Sequence, residues 1–441
     1  MTTRDQAHAL AKKMLSYSKL PECTVAISEV EQSSVRFANN GVTTAGLTME
    51  RTITIASTRE SRTGIAQTSE IDEARLKEAV ARSEALASVA PLNDEHMEPL
   101  GEQEYPAIPA ADAETISARS PSMVPHVKAV IEAASAKKLI AAGFIERTAQ
   151  VSAVANKRGL FGHHRSASAA MSTTVRTADG SSAGWAGQPS SRIAAINGAL
   201  LAEAAIEKCT RWKQPRKIEP GQYTVVLEPT AVSDLLSNLR FAFSARNAEE
   251  GRSFLSKKGG GTRLGEKVFH EQITLVSDPF DPRFPGSPYN QEGLPAAKVV
   301  WVENGVVKNL SYDRYWAAKT KQAPTPTSGS LSLAGGEATL EELIASTERG
   351  LLVTRFWYIR AVNMQTLQFT GLTRDGLFLI EKGKISEPVM NLRFNESPVR
   401  LLQNVKRLGR VVRCRGGEGA GMLAPALVAG NFTFSSISDA V

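Results

Sequence analysis

One stretch, residues 223–255, limits what this chain can fold into. Thr224, Val225, Val226 and Leu227 are β-branched or aliphatic, the composition of a strand covered on both faces. Glu228, Pro229 and Thr230 break that run. Beyond them Val232, Leu235, Leu236, Leu239 and Phe243 recur at helical spacing. Thr230 is read as the N-cap of this helix, with Asp234 in its first turns favouring the positive end of the dipole. A buried strand, a short break and a helix are therefore the expected centre of the molecule.

A chain of 441 residues is long for one hydrophobic core, so two domains are expected. Pro215 and Pro220 mark the joint, which gives an N-terminal α+β domain over residues 1–214 and a β-rich C-terminal domain over residues 215–441. Apolar residues at 42% and charged residues at 22% are ordinary for a soluble globular protein. No apolar run is long enough to cross a membrane, and the first residues form a charged amphipathic helix instead of a signal peptide. Cys23, Cys209 and Cys414 are odd in number and far apart, which argues against a disulfide framework and for a reducing cytoplasm. The net charge of +7 is modest for this length. Basic residues gather at Lys208, Arg211, Lys213, Arg216 and Lys217 and again over 406–415, but no aromatic residues interleave with them as base-stacking platforms. Neither nucleic acid nor membrane is an expected partner.

The N-terminal half reads as helix, strands, helix. Residues 3–17 carry Ala9, Leu10, Met14 and Leu15 along one face. Residues 24–38 and 43–57 are strands joined by Asn39, Asn40 and Gly41, a hairpin turn that tolerates positive φ. Helices are expected over 72–87, 125–137 and 193–211, and a further antiparallel piece over 144–186 with turns at Asn156–Gly159 and Asp179–Gly180. In the second half, residues 278–293 are too rich in Pro, Asp and Gly for a regular element. Strands are expected at 273–276, 299–303 and 306–310 and over 350–391, short helices at 339–346 and 397–405.

Several segments carry a resemblance to a known family, the TldD/PmbA (TldE) metalloprotease proteins, once called modulators of DNA gyrase. They are the hairpin Ser34, Val35, Arg36, Phe37, Ala38, Asn39, Asn40, Gly41; the run Leu264, Gly265, Glu266, Lys267, Val268; the turn Asn290, Gln291, Glu292, Gly293; and Ile380, Glu381, Lys382, Gly383, Lys384, Ile385, Ser386, Glu387, Pro388, Val389. Their order and spacing span nearly the whole chain. In catalytic members of the family, the central helix carries HExxxH after two leucines. The matching run here is Leu235, Leu236, Ser237, Asn238, Leu239, Arg240, Phe241 and Ala242. Ser237 and Ala242 stand where zinc-binding histidines would be, and Asn238 where the general-base glutamate would be. The family's third ligand is a late cysteine, and Cys414, in Arg413, Cys414, Arg415, Gly416, Gly417, occupies a compatible position as a relic of that ligand. Residues 321–336 follow Tyr315, Trp316 and Ala317, a segment after which the family lines its substrate cavity.

Zinc catalysis takes about three protein ligands and a base for the bound water. None of the six histidines pairs with another at helical ligand spacing. His163 and His164 are adjacent and read as a solvated turn; His270 and Glu271 read as a strand start, since Thr274 stands where a second His is needed. Arg413 and Arg415 beside Cys414 could lower its pKa. No G-x-S-x-G elbow occurs, and Gly259, Gly260 and Gly261 lack the Lys and Ser/Thr of a phosphate loop. The resemblance thus implies a subunit without cofactor or metal of its own, with zinc only in a catalytic partner. It implies a heterodimer with an HExxxH-bearing TldD-like subunit, or a homodimer, acting on small unfolded peptides. Such a peptide could add to a sheet edge, for which residues 353–363 are the candidate. The alternatives are a stand-alone peptidase using Cys414 and a peptide-binding protein with a non-zinc site.

Overall fold

The computed structural model describes residues 1–327, 329, 331–416 and 421–438, with the backbone alone at Arg240 and Phe241; Gly417 of the cysteine segment and Ser328 and Ser330 of the expected cavity segment fall outside it. The fold is α+β, as expected, and is built on two sheets.

The first sheet takes its strands from the N-terminal half. α1 (Arg4–Tyr17) leads into β1 (Glu22–Ala38), β2 (Gly41–Arg59) and β3 (Arg62–Thr68), then α2 (Glu73–Val89), α3 (Ala113–Ser117) and α4 (Ser120–Ala136). β4 (Ile140–Asn156), β5 (Phe161–Arg176) and β6 (Ala183–Ser190) complete a six-stranded antiparallel sheet in the order β3-β2-β1-β4-β5-β6, and α5 (Gly198–Arg211) closes the half. The β1–β2 turn forms as its sequence dictates, with Asn39 and Asn40 at φ of 51° and 58°. Three expectations need correction. The helix over 125–137 begins at Ser120 and accommodates Pro125 inside it. The helix over 193–211 is cut in two: a 3-10 turn at Ile193–Ala195, then α5, whose N-cap Asn197 accepts from the amides of Ala199 and Leu200. His163 and His164 lie within β5, not in a turn.

The second sheet is made by β7 (Gly221–Leu227), β8 (Leu275–Ser277), β9 (Val299–Glu303), β10 (Val306–Val307), β11 (Leu331–Leu333), β12 (Arg349–Asn363), β13 (Gln368–Glu381), β14 (Lys384–Pro388), β15 (Leu392–Glu396), β16 (Val405–Cys414) and β17 (Met422–Ile437). Short helices punctuate it: α6 (Pro229–Leu236), α7 (Ala245–Glu249), α8 (Arg314–Thr320), α9 (Leu340–Ala345) and α10 (Pro398–Gln403). Its pairings run β17-β15-β13-β12-β7 and return from β7 to β17, a closed cycle of five strands in the manner of a small barrel. Phe356, Phe394, Phe432 and Phe434, all nearly fully buried, pack together inside it, with Phe356 and Phe432 stacked at 5.6 Å. His270 and Glu271 lie in a turn before β8, not at the start of a strand.

Candidate functional site

β7 lies between β12, parallel at Leu351–Val353, and β17, antiparallel, which is why its apolar run has no polar face. The ladder continues one step beyond the strand, where Glu228 N donates to Val353 O at 3.0 Å. Glu228, not Thr230, is the N-cap residue of α6, because Pro229 fills the first helical position and needs no hydrogen bond there. The Glu228 carboxylate accepts from Lys208 Nζ at 2.7 Å and Thr354 Oγ1 at 3.3 Å, tying α5 to the helix start.

Every residue of α6 from Ala231 to Leu236 is buried. Asp234 therefore does not face solvent as a dipole partner. Its Oδ2 accepts from Phe356 N at 3.1 Å, which pins the helix to β12. Gly416 comes so close on another side that a Cβ there would stand 1.4 Å from Asp234 Oδ1. Both carboxylate contacts come from residues more than 100 positions away, so nothing local in the sequence signals them.

The α-helix stops at Leu236 and tightens into a 3-10 turn over Ser237–Phe241, in place of the continuous helix expected through Phe243. Ser237 and Asn238 are the physical cause. Ser237 Oγ donates to Asp234 O at 3.3 Å, and Asn238 Nδ2 donates to Asp234 O at 3.3 Å and Leu235 O at 3.2 Å. Both side chains spend their donors on carbonyls of the turn they terminate. Ala242 places its methyl in the main core of this half, and its carbonyl accepts from Ser253 Oγ at 3.2 Å.

Immediately after Ala242 the chain lines a cavity of about 640 Å³. Phe243 packs on Trp301, ring centroids 5.3 Å apart, and Trp301 Nε1 donates to Ser277 Oγ at 2.9 Å. Thr327, Gly329 and Leu331 of the segment 321–336 form one wall. Glu292 stands at another, its carboxyl pushed up by burial although Arg314 N donates to it at 3.2 Å. The turn before it keeps its form with Asn290 in place of an acid: Asn290 Oδ1 accepts from the amides of Glu292 and Leu294 at 3.0 and 2.9 Å, and Gly293 takes φ of 82°.

Cys414, the last residue of β16, is buried against the first turns of α6. Its thiol donates to Met422 O at 3.5 Å. Arg413 and Arg415 do not activate it. Burial pushes the thiol up to about 12, and the Asp234 charge adds to that, while the Ser233 hydroxyl acts in the opposite direction. Ser233 and Ser237 are four residues apart and share a helix face, so the thiol stands one turn from the first degenerate position. Among the described residues no group of three or more His, Cys, Asp or Glu side chains is placed to hold a metal ion. The histidines are dispersed: His8 stacks on Phe161, His96 pairs with Glu22 at 2.9 Å, and His270 Nδ1 accepts from Gln272 N.

The candidate edge over 353–363 is blunted at its start. Val353 is paired on both sides, the Phe356 amide is taken by Asp234, and Tyr358, at φ of 55°, sits where the β12–β13 register slips. β2 offers a cleaner edge. β3 pairs with it only over residues 53–59, and residues 42–50 are exposed along their length.

Residues 220–436 match the family model for the PmbA/TldA metallopeptidase C-terminal domain. A metalloprotease of Methanothermobacter thermautotrophicus is 27% identical over 223 residues, covering 46% of this chain and 46% of the relative. The chain matches less than half the length of such curated relatives. TldE of Thermococcus kodakarensis superposes with a TM-score of 0.85 at 20% identity, over 97% of this chain and 99% of that one. A protein described as a modulator of DNA gyrase, from Bacteroides thetaiotaomicron, gives 0.86 at 20% identity over 99% and 100%. At that identity the likeness is one of fold.

Proposed function

We propose, for a chain whose residues 220–436 belong to the PmbA/TldA metallopeptidase C-terminal domain family, that it serves as the non-catalytic subunit of a TldD/TldE-type metalloprotease complex acting on small unfolded peptides. The observation that carries the reading is the end of α6. A hydroxyl, an amide and a methyl stand at Ser237, Asn238 and Ala242, and the first two bond their own backbone. None of the three supplies a zinc donor or a general base. Zinc, in this reading, is held by an HExxxH-bearing partner. The 640 Å³ cavity beside Phe243 is this chain's contribution to the enclosed space.

The surface best suited to the partner is the open half of β2. Residues 42–49 are Val, Thr, Thr, Ala, Gly, Leu, Thr and Met, without a charge or a proline. Val42, Leu47 and Met49 are each about half exposed. Solitary proteins blunt such edges with charges, prolines or bulges, and this one is left able to accept a strand. The Cys414 nucleophile of a stand-alone peptidase fits poorly, since a thiol pushed to about 12 carries almost no thiolate at neutral pH.

The test is co-expression of this chain with an HExxxH relative from the same genome. Expected are co-purification, zinc bound at one equivalent by the relative, and peptide hydrolysis by the pair but not by this chain. Stoichiometric zinc on this chain, or hydrolysis by it unaided, overturns the reading.

A further inference from the structure

Between the two sheets, next to α6 at Gly416 and sharing no lining residue with the Phe243 cavity, two adjoining cavities of about 280 Å³ each share Ala170, Pro189 and Arg415 in their walls. Three arginines line this cleft and Glu146 is the one carboxylate among its described lining residues. Arg355 is buried with its guanidinium between the rings of Trp185 and Trp357, at 4.9 and 5.2 Å, and balances Asp375 at 3.2 Å. Arg415 stands 3.6 Å from Glu146, whose other oxygen already accepts from Gln32 at 2.6 Å. Arg413 lies over the Phe284 ring at 4.0 Å. Its Nη1 reaches only the Arg283 carbonyl, at 3.4 Å, and its Nε is buried without a hydrogen-bond partner.

Withdrawing a guanidinium from water without a carboxylate is unfavourable unless another anion completes it. Apolar walls strengthen any charge placed between them. The planar fork of arginine matches a carboxylate in two-point geometry. The walls are aromatic around Arg355, with Phe144, Trp185 and Trp357, and mixed around Arg413, where Phe284 and Pro189 stand beside Thr148 and Ser168; the cleft has room for little more than one residue at each end.

We propose that this cleft binds the C-terminal end of a peptide, with Arg413 and Arg415 holding the free carboxylate and the aromatic walls taking the last side chain. The inference rests on the reading above only for the peptide as the source of the carboxylate. A single free amino acid could present the same group, and the experiment separates the two.

The probes are an alanine-rich hexapeptide ending in leucine as free acid, the same peptide as C-terminal amide, and free leucine, whose ammonium sets it apart from a peptide end. Binding is measured by calorimetry on the full chain, alone and with the co-purified relative. The free acid is expected to bind at least about tenfold more tightly than the amide, as a charge-assisted pair implies. That preference is expected to vanish in Arg413→Gln and to fall in Arg415→Gln, with circular dichroism showing both variants folded. Equal binding of acid and amide, a preference that survives Arg413→Gln, or free leucine binding as tightly as the hexapeptide overturns the proposal. Such a failure leaves the subunit reading standing, because that reading is judged by zinc and hydrolysis in the pair.

Discussion

The two sheets are assembled differently. In the first, every neighbour is antiparallel and the long β1–β2 and β4–β5 hairpins run in almost unbroken register. Its helices settle on small residues: a Cβ at Gly64 would stand 2.1 Å from the Ser83 carbonyl of α2. In the second, β7 pairs with strands that begin more than 120 residues later, and four phenylalanines fill the closed cycle. The first can loosen one helix at a time. The second has to fail together, since β7 closes its cycle through β12 and β17, both far away in the chain.

Phe432→Ala should have the largest effect, costing about 3–5 kcal/mol through the cavity it leaves. Amide exchange should accelerate across β7, β12, β13, β15 and β17 alike; faster exchange in β17 alone would contradict a cooperative cycle. Gly64→Ala should cost about 1–3 kcal/mol, because the added methyl meets helix backbone that can only move as a body. Its exchange signature should stay within α2 and β3, and spread to β4–β6 would break the contrast between the sheets. Leu47→Lys with Met49→Lys should weaken capture of the HExxxH relative about tenfold without altering the melting temperature of the chain alone, since charges on an open edge repel an added strand. Val362→Lys, on β12, should leave capture unchanged; the reverse pattern would move the interface.

Acid sensitivity should arise in the first sheet. Burial lowers His164 from 6.5 to about 4, so between those pH values the unfolded chain binds a proton that the fold resists. The contribution is full above pH 6.5 and is lost as pH falls toward 4. His164→Gln should flatten that decline by on the order of 1 kcal/mol in denaturant titrations at pH 5, and an unchanged slope would rule His164 out as its source. The smallest effect is expected of the thiols. Cys23, Cys209 and Cys414 are all buried with pKa values pushed up, so a thiol reagent at pH 8 should modify none of them before denaturation.

What the sequence discloses follows the same division. The Asn39–Asn40–Gly41 hairpin and the helices over 72–87 and 339–346 are local signals, and each formed where expected; Asp72 caps the first helix, and Thr339 with Glu342 boxes the second. The 3-10 turn after Leu236 was visible only in the reluctance of Ser237 and Asn238 to stay helical. The roles of Asp234, Trp185 and Arg355 were not legible, because their partners come from other strands. His163 and His164 read as a solvated turn because no third ligand accompanies them; pairing with Ser152 and Ala153 of β4 settles them as strand. Within the edge over 353–363, hydropathy does not show that Asp234 already occupies the Phe356 amide.

The 3-10 turn has one more consequence, for any attempt to put a metal back. Each residue of such a turn rotates the chain by about 120° instead of 100°, so over five residues the two paths part by about 100°. Histidines grafted at Ser237 and Ala242 would look in different directions from a pair on an unbroken helix, and the graft would also strip the Ser237 plug from the helix end. A revertant therefore has to straighten its backbone before its new side chains can meet.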